Sequence, residues 1–242
     1  MNIRKAMTVA GSDSGGGAGI QADLKTFAAL GVYGSSAITA ITAQNTLGVQ
    51  ATAGISLPLV EGQLDSVLSD IGVDAVKTGM LYDDAITGLV AEKLKFYQVP
   101  CLVVDPVIIS TSGDSLLNNS GVRMLREKLL PIASFITPNV DEAAALCGFA
   151  IENDNDLYKA AREIHRLGAG FVIITGLQRG QEAIEFCYDG HESRELKGPF
   201  IDTPHTHGTG CSFSAALTAC IARGLSPWAA VATAKKYVAS GL

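Results

Sequence analysis

Short runs of β-branched residues alternate with longer segments of helical period along the chain, and this alternation constrains the fold more than any other feature. The pattern is typical of a mostly parallel sheet that is covered by helices on both faces. We therefore predict an α/β protein built as a three-layer α/β/α sandwich around a mostly parallel central sheet. In such sheets ligands bind at the carboxyl ends of the strands, so the strand-to-helix junctions are the places to look for chemistry.

The predicted elements follow from the periodicity and from residues that favour helix starts and turns. Strands are expected at 6–10, 36–41, 52–57, 74–78, 101–105, 134–137, 171–175, 183–188 and 192–197. The last two flank Asp189-Gly190 and are expected to form a hairpin. Helices are expected at 18–30, 59–70, 83–97, 120–130, 140–147, 155–167, 211–223 and 227–240.

Length, composition and charge limit the number of domains and the kinds of partner that the chain can bind. The chain has 242 residues, of which 48% are hydrophobic, and no repeat or long linker divides it, so we predict one domain over 1–242. Its helical pattern stops abruptly near Leu242, so we expect the C-terminal helix to be shortened. The net charge of −6, with scattered Lys and Arg, argues against nucleic-acid binding.

Cysteine usage and hydropathy indicate the compartment. The five cysteines include no Cys-x-x-Cys pair and are odd in number, which fits neither a zinc site nor a closed disulfide framework. No segment approaches the roughly 20 apolar residues that a membrane span needs. We therefore expect a cytoplasmic protein in a reducing environment that does not bind membranes.

A glycine-rich junction at 11–23 follows the first strand and leads into the first helix. So many glycines let the backbone approach a ligand closely, although a tight turn without a ligand remains the alternative. Residues 17–22 match the loose dinucleotide pattern, but no acidic residue lies between Asp23 and Glu61, which argues against a Rossmann site. The P-loop motif is absent from the sequence.

A second glycine-containing loop, 206–212, leads into an apolar helix. Gly208 and Gly210 let successive amide N–H groups point the same way at a helix N-terminus, where an anion is favoured. A thiol at that helix start is expected to have a lowered pKa, which makes Cys211 the reactive cysteine and leaves the other four as small core residues. His207 either contacts the ligand or fixes the loop through a backbone hydrogen bond.

Carboxylates follow two neighbouring strands of the predicted sheet. Asp105 ends one strand, and Glu142 lies shortly after the next. Oxygen ligands at adjacent strand ends suit Mg²⁺, which keeps several waters and bridges to substrate phosphates. The alternative is that Asp141 and Glu142 are ordinary charges of a first helical turn.

Six segments carry a resemblance to a known family. They are 11–26, 40–46, 77–81, 105–107, 137–139 and 206–211, which span almost the whole chain. Together they resemble the hydroxymethylpyrimidine/phosphomethylpyrimidine kinases of thiamine biosynthesis, which have a ribokinase-like fold. The resemblance implies a kinase that uses ATP and Mg²⁺, and a monovalent cation, and that forms a homodimer. Such a kinase phosphorylates 4-amino-5-hydroxymethyl-2-methylpyrimidine and then its monophosphate.

The resemblance also implies roles for individual residues. Gly208 and Gly210 would stabilise the transferring phosphate, and Cys211 would act as the base, where related kinases usually have Asp. Asp105 and Glu142 would bind the metal. The pyrimidine would be bound by Gln44, Asp23, Ala18, Met80, Val107 and His207, and ATP would contact Asn139, Thr175 and Thr209. A side-chain amide such as that of Gln44 matches the donor and acceptor of an aminopyrimidine edge.

Two departures from the family pattern leave alternatives open. Thr175-Gly176-Leu177-Gln178 stands where relatives often have Lys-Gly-Gly-His, so a phosphate-binding cation is missing from this position. His205 occupies a position where a small polar residue or Asn is more usual.

A kinase of B6 vitamers is the nearest alternative, because pyridoxal-type rings also carry a hydroxymethyl group. A non-catalytic pyrimidine-binding domain is the other.

Overall fold

A single sheet of nine strands runs through the centre of the computed structural model, which describes residues 3–108 and 117–242. Its spatial order is β3-β2-β1-β4-β5-β6-β7-β8-β9. The strands are β1 (Lys5–Asp13), β2 (Tyr33–Asn45), β3 (Gly48–Gly54), β4 (Ala75–Thr78), β5 (Leu102–Val104), β6 (Phe135–Ile136), β7 (Phe171–Arg179), β8 (Glu182–Tyr188) and β9 (Ser193–Pro199).

The central part of this sheet is parallel. The strands from β2 through β1, β4, β5 and β6 to β7 pair in parallel, whereas β3, β8 and β9 add antiparallel edges. The hairpin that was expected around Asp189-Gly190 is confirmed, because β8 and β9 pair directly on either side of it. The mostly parallel sheet is confirmed as well.

Eight α-helices lie in the described residues. They are α1 (Gly19–Ala29), α2 (Leu57–Ser66), α3 (Asp84–Phe96), α4 (Asn119–Met124), α5 (Val140–Cys147), α6 (Asp154–Arg166), α7 (Thr209–Ala222) and α8 (Pro227–Ala239). A π-helical turn extends α2 to Ile71, and further turns extend α4 to Ile132. The helix that was predicted at 211–223 begins earlier, at Thr209, because Gly208 ends the preceding loop in a left-handed conformation.

Two hydrophobic cores separate the sheet from its two helical layers. Alternate residues of β5 illustrate the division, since Leu102 and Val104 face one core and Val103 faces the other. The first core packs against α2, α3, α4, α5 and α6, and the second packs against α1, α7 and α8. This arrangement confirms the three-layer α/β/α sandwich.

The carboxyl ends of the parallel strands meet at one edge of the sheet. Asp13 ends β1, Asp105 follows β5, and Asn139 follows β6, where it forms an isolated bridge with Thr175 of β7. The same edge receives the N-terminus of α7. In residues 3–108 and 117–242, no helix has the length and apolar character that crossing a membrane requires.

Candidate active site

Two cavities lie side by side at this edge of the sheet. The larger has a volume of about 870 Å³ and extends from Gln44 and Val107 past the start of α7 to β8, β9 and α8. The smaller has a volume of about 70 Å³ and is lined by residues that include Gly11, Lys77 and Met80. Residues that line both cavities are Ala18, Gln44, Val107 and Cys211. The start of α7 therefore lies where the two cavities meet.

Gly208 is a packing residue of the loop before α7. It is buried, and its φ of 82° lies in the left-handed region that favours glycine. A Cβ atom at this position would lie 1.8 Å from the carbonyl oxygen of Gly17 in the glycine-rich loop. Its own carbonyl accepts a hydrogen bond of 2.8 Å from the Ser212 amide. Gly208 thus brings the two glycine loops into contact.

Gly210 and Cys211 supply the open amide groups at the start of α7. The Thr209 amide donates to the carbonyl of Thr206, and the Ser212 amide is likewise engaged. Among the described residues, the amides of Gly210 and Cys211 have no backbone acceptor outside the helix. A Cβ atom on Gly210 would meet nothing within 4 Å. These amides lie at the positive end of a helix dipole, where an anion is favoured, so the anion-binding site at this helix start stays a prediction that the geometry fits.

Asp13 organises the glycine-rich loop. Its carboxylate accepts hydrogen bonds from the amides of Gly15 (2.8 Å), Gly17 (3.1 Å) and Ala18 (2.8 Å). The Nε2 atom of His207 lies 3.0 Å from Asp13 Oδ2. Burial acts to raise the pKa of Asp13, but the hydrogen bonds from His207, Ala18 and Gly15 outweigh it and hold the pKa below its usual value. The sequence analysis assigned no role to Asp13.

His207 holds its loop through this carboxylate, whereas a backbone hydrogen bond was the alternative to a ligand contact; the ligand contact stays a prediction. Its ring also lies 3.5 Å from the Nε2 atom of Gln44, and it lines the larger cavity. His207 therefore connects the start of α7 to both the glycine-rich loop and the end of β2.

Lys77 lies at the centre of a buried charged cluster. Its side chain is fully buried, and its Nζ atom lies 2.5 Å from Asp23 Oδ1 and 3.7 Å from Asp105 Oδ2. Burial acts to lower the pKa of Lys77, but Asp23, Cys211 and Asp105 outweigh it and raise the pKa. The sequence analysis missed Lys77, although a lysine inside the buried strand Ala-Val-Lys-Thr of β4 is itself a signal of a paired charge.

Asp23 lies beneath the site and lines neither cavity. It is fully buried, and it accepts a hydrogen bond of 2.6 Å from Thr8 Oγ1 in addition to that from Lys77. Burial raises the pKa of Asp23, against the lowering effect of Lys77. The direct pyrimidine contact that was expected of Asp23 stays a prediction, and the position of Asp23 outside both cavities does not favour it.

The expected lowering of the Cys211 pKa is wrong. Burial raises the pKa of this thiol to about 12, and the nearby carboxylates of Asp105 and Asp23 add to the rise, while Lys77 opposes it. The residue keeps some solvent exposure at the cavity wall, and the Gly19 amide acts to lower the pKa of its thiol without outweighing burial. The helix dipole alone does not stabilise a thiolate in these surroundings.

The remaining cysteines are core residues, as predicted. Cys101, Cys187 and Cys220 are buried, and Cys147 is half-buried. All four thiols have raised pKa values because of burial.

The predicted ring contacts line the smaller cavity. Gln44, Ala18, Val107 and Met80 all belong to its wall. Gln44 Oε1 accepts a hydrogen bond of 3.0 Å from Thr42 Oγ1, which orients the amide. Val107 has a φ of 38°, a strained value for a β-branched residue, and such strain concentrates at functional sites.

Asp105 and Glu142 both line the larger cavity. Asp105 accepts a hydrogen bond of 2.9 Å from Ser214, and Glu142 accepts from the amides of Ile108 and Asn139. Residues 3–108 and 117–242 contain no group of three or more His, Cys, Asp or Glu side chains that could hold a metal. Two carboxylates without a full cage fit a Mg²⁺ ion that keeps several waters and binds mainly to phosphates.

The three residues that were predicted to contact ATP also line the larger cavity. Asn139 caps α5 and accepts a hydrogen bond of 2.8 Å from the Glu142 amide. Thr175 lies beside it, and Thr209 Oγ1 donates to the carbonyl of Thr206. The far end of the cavity is partly apolar and includes Leu196, Phe200, Ile201, Val238 and Leu242, with Lys235 and Lys236 beside them.

Comparisons with known proteins agree with this architecture. The family model described as phosphomethylpyrimidine kinase matches residues 13–242. The chain is 47% identical over 240 residues to the hydroxymethylpyrimidine/phosphomethylpyrimidine kinase of Bacillus subtilis, covering 98% of this chain and 89% of that protein. It is 47% identical over 243 residues to the chloroplastic thiamine biosynthetic bifunctional enzyme of Arabidopsis thaliana, covering 99% of this chain.

The chain spans about half the length of the Arabidopsis protein, since it covers 47% of it. Among solved structures, it is similar to the pyridoxal kinase of Bacillus subtilis in complex with ADP. The TM-score is 0.91 and the sequence identity is 42%, with 98% of this chain and 90% of that chain covered.

Proposed function

Because the chain belongs to the phosphomethylpyrimidine kinase family, we propose that it transfers phosphate from ATP to 4-amino-5-hydroxymethyl-2-methylpyrimidine and then to the resulting monophosphate. The observation that carries this proposal is the position of α7. The open amides of Gly210 and Cys211 lie where the smaller cavity and the larger cavity meet. A phosphate that passes between two substrates has to cross this position.

The smaller cavity is the proposed site of the pyrimidine ring. Its wall offers the amide of Gln44 together with the apolar side chains of Met80 and Val107. The amide provides a donor and an acceptor, which match the amino group and ring nitrogen of an aminopyrimidine. A site that pairs these groups rejects analogues that lack them more strongly than an apolar pocket does.

The larger cavity is the proposed site of ATP. Asn139, Thr175 and Thr209 line its middle, and the apolar surface between β9 and α8 suits a purine base. Position 175 has no lysine, so the phosphates rely on the α7 amides and on the cations of the cavity wall. Lys236 is exposed there, whereas Lys235 is paired with Glu185.

In each transfer the acceptor oxygen forms a bond to the γ-phosphorus and the bridging P–O bond to ADP breaks. Charge on the transferring group is stabilised by the amides of Gly210 and Cys211. A loose transition state requires little help from a base, so a neutral Cys211 thiol is compatible with the reaction. Asp105 and Glu142 would hold Mg²⁺, which would supply positive charge to the ATP phosphates when bound.

The proposal includes the location and the oligomeric state of the protein. A cytoplasmic location follows from the sequence composition and from the free thiols of the described cysteines. A homodimer is supported by exposed apolar side chains near the β3 edge, among them Ile41, Leu47 and Leu59. The monovalent cation remains a prediction. Sedimentation equilibrium tests the dimer directly.

A kinase of B6 vitamers is the second candidate, and the similarity to the pyridoxal kinase structure supports it. Mass spectrometry of the products separates the two. The protein is incubated with ATP, Mg²⁺ and an equimolar mixture of the hydroxymethylpyrimidine and pyridoxal. We expect the pyrimidine monophosphate to appear first and the diphosphate to follow. Accumulation of pyridoxal phosphate without pyrimidine diphosphate would show that the second candidate is correct.

A further inference from the structure

The smaller cavity contains one cationic side chain in its described lining. Of its lining residues, only Lys77 and Asp13 carry charge. The Asp13 carboxylate is already engaged by three backbone amides and by His207. The cationic group that this cavity offers to a ligand is therefore the ammonium of Lys77, which is itself paired with Asp23.

The ammonium is fixed in place by a buried carboxylate behind it. Asp23 accepts from Lys77 at 2.5 Å and is itself held by Thr8 at 2.6 Å. Lys77 lines the smaller cavity, whereas Asp23 does not. The pair is thus a dipole with its positive end at the cavity wall and its negative end in the protein interior.

The hydrogen-bonding capacity of Lys77 is only partly used. An ammonium has three donors, and in the described part of the chain one of them forms a hydrogen bond, to Asp23. The separation of 3.7 Å from Asp105 is longer than a hydrogen bond. Lys77 is also close enough to Cys211 for the two groups to interact electrostatically. Lys77 and Cys211, a residue of the first turn of α7, both line the smaller cavity, so the lysine lies at the end of the cavity where α7 begins.

The two proposed acceptors differ in charge at that end. The hydroxymethyl group is neutral, whereas a phosphate monoester carries about −1.5 to −2 at neutral pH. We propose that Lys77 is a specificity-determining residue that enables the cavity to accept the phosphate monoester as the second acceptor. This inference rests on the proposed function, because it concerns the second of the two transfers.

The test compares binding of the two acceptors. We define the acceptor ratio as the dissociation constant of the hydroxymethylpyrimidine divided by that of its monophosphate, both measured by calorimetry without ATP. Lys77→Met removes the positive end of the dipole, and we expect the acceptor ratio to fall by about tenfold or more. Asp23→Asn removes the negative end and leaves the ammonium, so the ratio is expected to stay the same or rise.

Controls separate this effect from general damage and from net charge. Lys95→Met removes a lysine from the exposed side of α3, which lines neither cavity, and should leave the ratio unchanged. Lys77→Met leaves Asp23 buried without its partner and can prevent folding. In that event the double variant Lys77→Met/Asp23→Asn, which removes both charges, replaces it and is expected to show the same fall of the ratio.

Each result decides the inference. A fall of the ratio in the folded Lys77 variant, without a fall in Asp23→Asn, supports it. An unchanged ratio, with both acceptors weakened equally, overturns it and assigns Lys77 a structural role. Turnover of the wild type is measured separately, as ADP release. A wild type that binds both acceptors but phosphorylates neither refutes the proposed function, and the acceptor ratio still tests Lys77.

Discussion

The Nε2 atom of His207 lies 3.0 Å from the Oδ2 atom of Asp13, although the two residues are 194 positions apart in the chain. This contact joins the loop that begins α7 to the glycine-rich loop that follows β1. Gly208 and Gly17 touch beside it, so the two loops form one packed unit. The position of the amides that we propose to bind phosphate therefore depends on residues near both ends of the sequence.

Asp13→Ala is expected to lower the free energy of unfolding at pH 7 by about 3 kcal/mol, because it leaves three half-buried amides and His207 without their acceptor. The pKa of Asp13 is lower in the folded protein than its usual value, near 3.9 in an unfolded chain. Its stabilising contribution is present above that value and is lost as the pH falls through the folded pKa. Urea unfolding between pH 7 and pH 3 measures the difference.

Asp83→Ala provides the control for this prediction. Asp83 accepts a hydrogen bond from the Ile86 amide at the start of α3, and it lines neither cavity. We expect Asp83→Ala to lower the free energy of unfolding by about 1 kcal/mol and to leave turnover unchanged. An Asp13→Ala difference that does not shrink at low pH would contradict the role assigned to the carboxylate.

Gly208→Ala is expected to lower the stability of the protein, whereas Gly210→Ala is expected to lower its turnover. At Gly208 the new Cβ atom would overlap the Gly17 carbonyl, so we expect a loss of at least about 2 kcal/mol of stability. At Gly210 nothing lies within 4 Å, so the fold should tolerate alanine, while the methyl group enters the proposed phosphate position. We expect kcat/KM to fall at least about tenfold. Thermal melting and ADP release distinguish the two, and a fully active Gly210→Ala enzyme would refute the phosphate position.

Cys211→Ser is expected to keep turnover within about tenfold of the wild type. With its pKa raised to about 12, Cys211 is a neutral thiol at pH 7, and its thiolate fraction would grow tenfold with each pH unit below that value. If the thiolate were the base, kcat/KM would rise in proportion to the thiolate fraction. Because we expect Cys211 not to act as the base, kcat/KM should not rise tenfold with each pH unit between pH 7 and pH 9. Thiolate absorbance near 240 nm measures the ionisation directly. A midpoint near neutral pH would restore Cys211 as a base.

Glu142→Gln is expected to raise the Mg²⁺ concentration that gives half-maximal turnover by about tenfold, because the variant loses the negative charge and keeps only one of the two oxygens that accept from the amides of Ile108 and Asn139. Chelation of Mg²⁺ should stop turnover, and added Mg²⁺ should restore it. Asp141→Asn is the matched control, since Asp141 is the exposed neighbour on α5. Equal Mg²⁺ dependence in the two variants would contradict the metal assignment of Glu142.

Local sequence patterns predicted most of the fold. The apolar periodicity located the strands and helices, and α5 occupies Val140–Cys147 as predicted. The Asp189-Gly190 turn marked the hairpin. These features depend on nearby residues, which is why the sequence was sufficient for them.

The energetics of the site depend on distant residues and were predicted less well. Lys77 and Asp23 are 54 positions apart, and no local pattern pairs them. The lowered pKa expected for Cys211 followed from the helix dipole, but burial and the carboxylates of Asp105 and Asp23 determine the outcome. The phosphate-stabilising role expected of Gly208 stays a prediction, while its close approach to the backbone of Gly17 is a packing role that no local pattern indicated.

The most direct test of the central claim is ADP release with three acceptors under identical conditions: the hydroxymethylpyrimidine, its monophosphate and pyridoxal. We predict that kcat/KM for each pyrimidine exceeds that for pyridoxal by at least about tenfold, because Gln44 matches the aminopyrimidine edge. Gly210→Ala should reduce all three rates. A higher kcat/KM for pyridoxal, or binding of both pyrimidines without any release of ADP, would contradict this account.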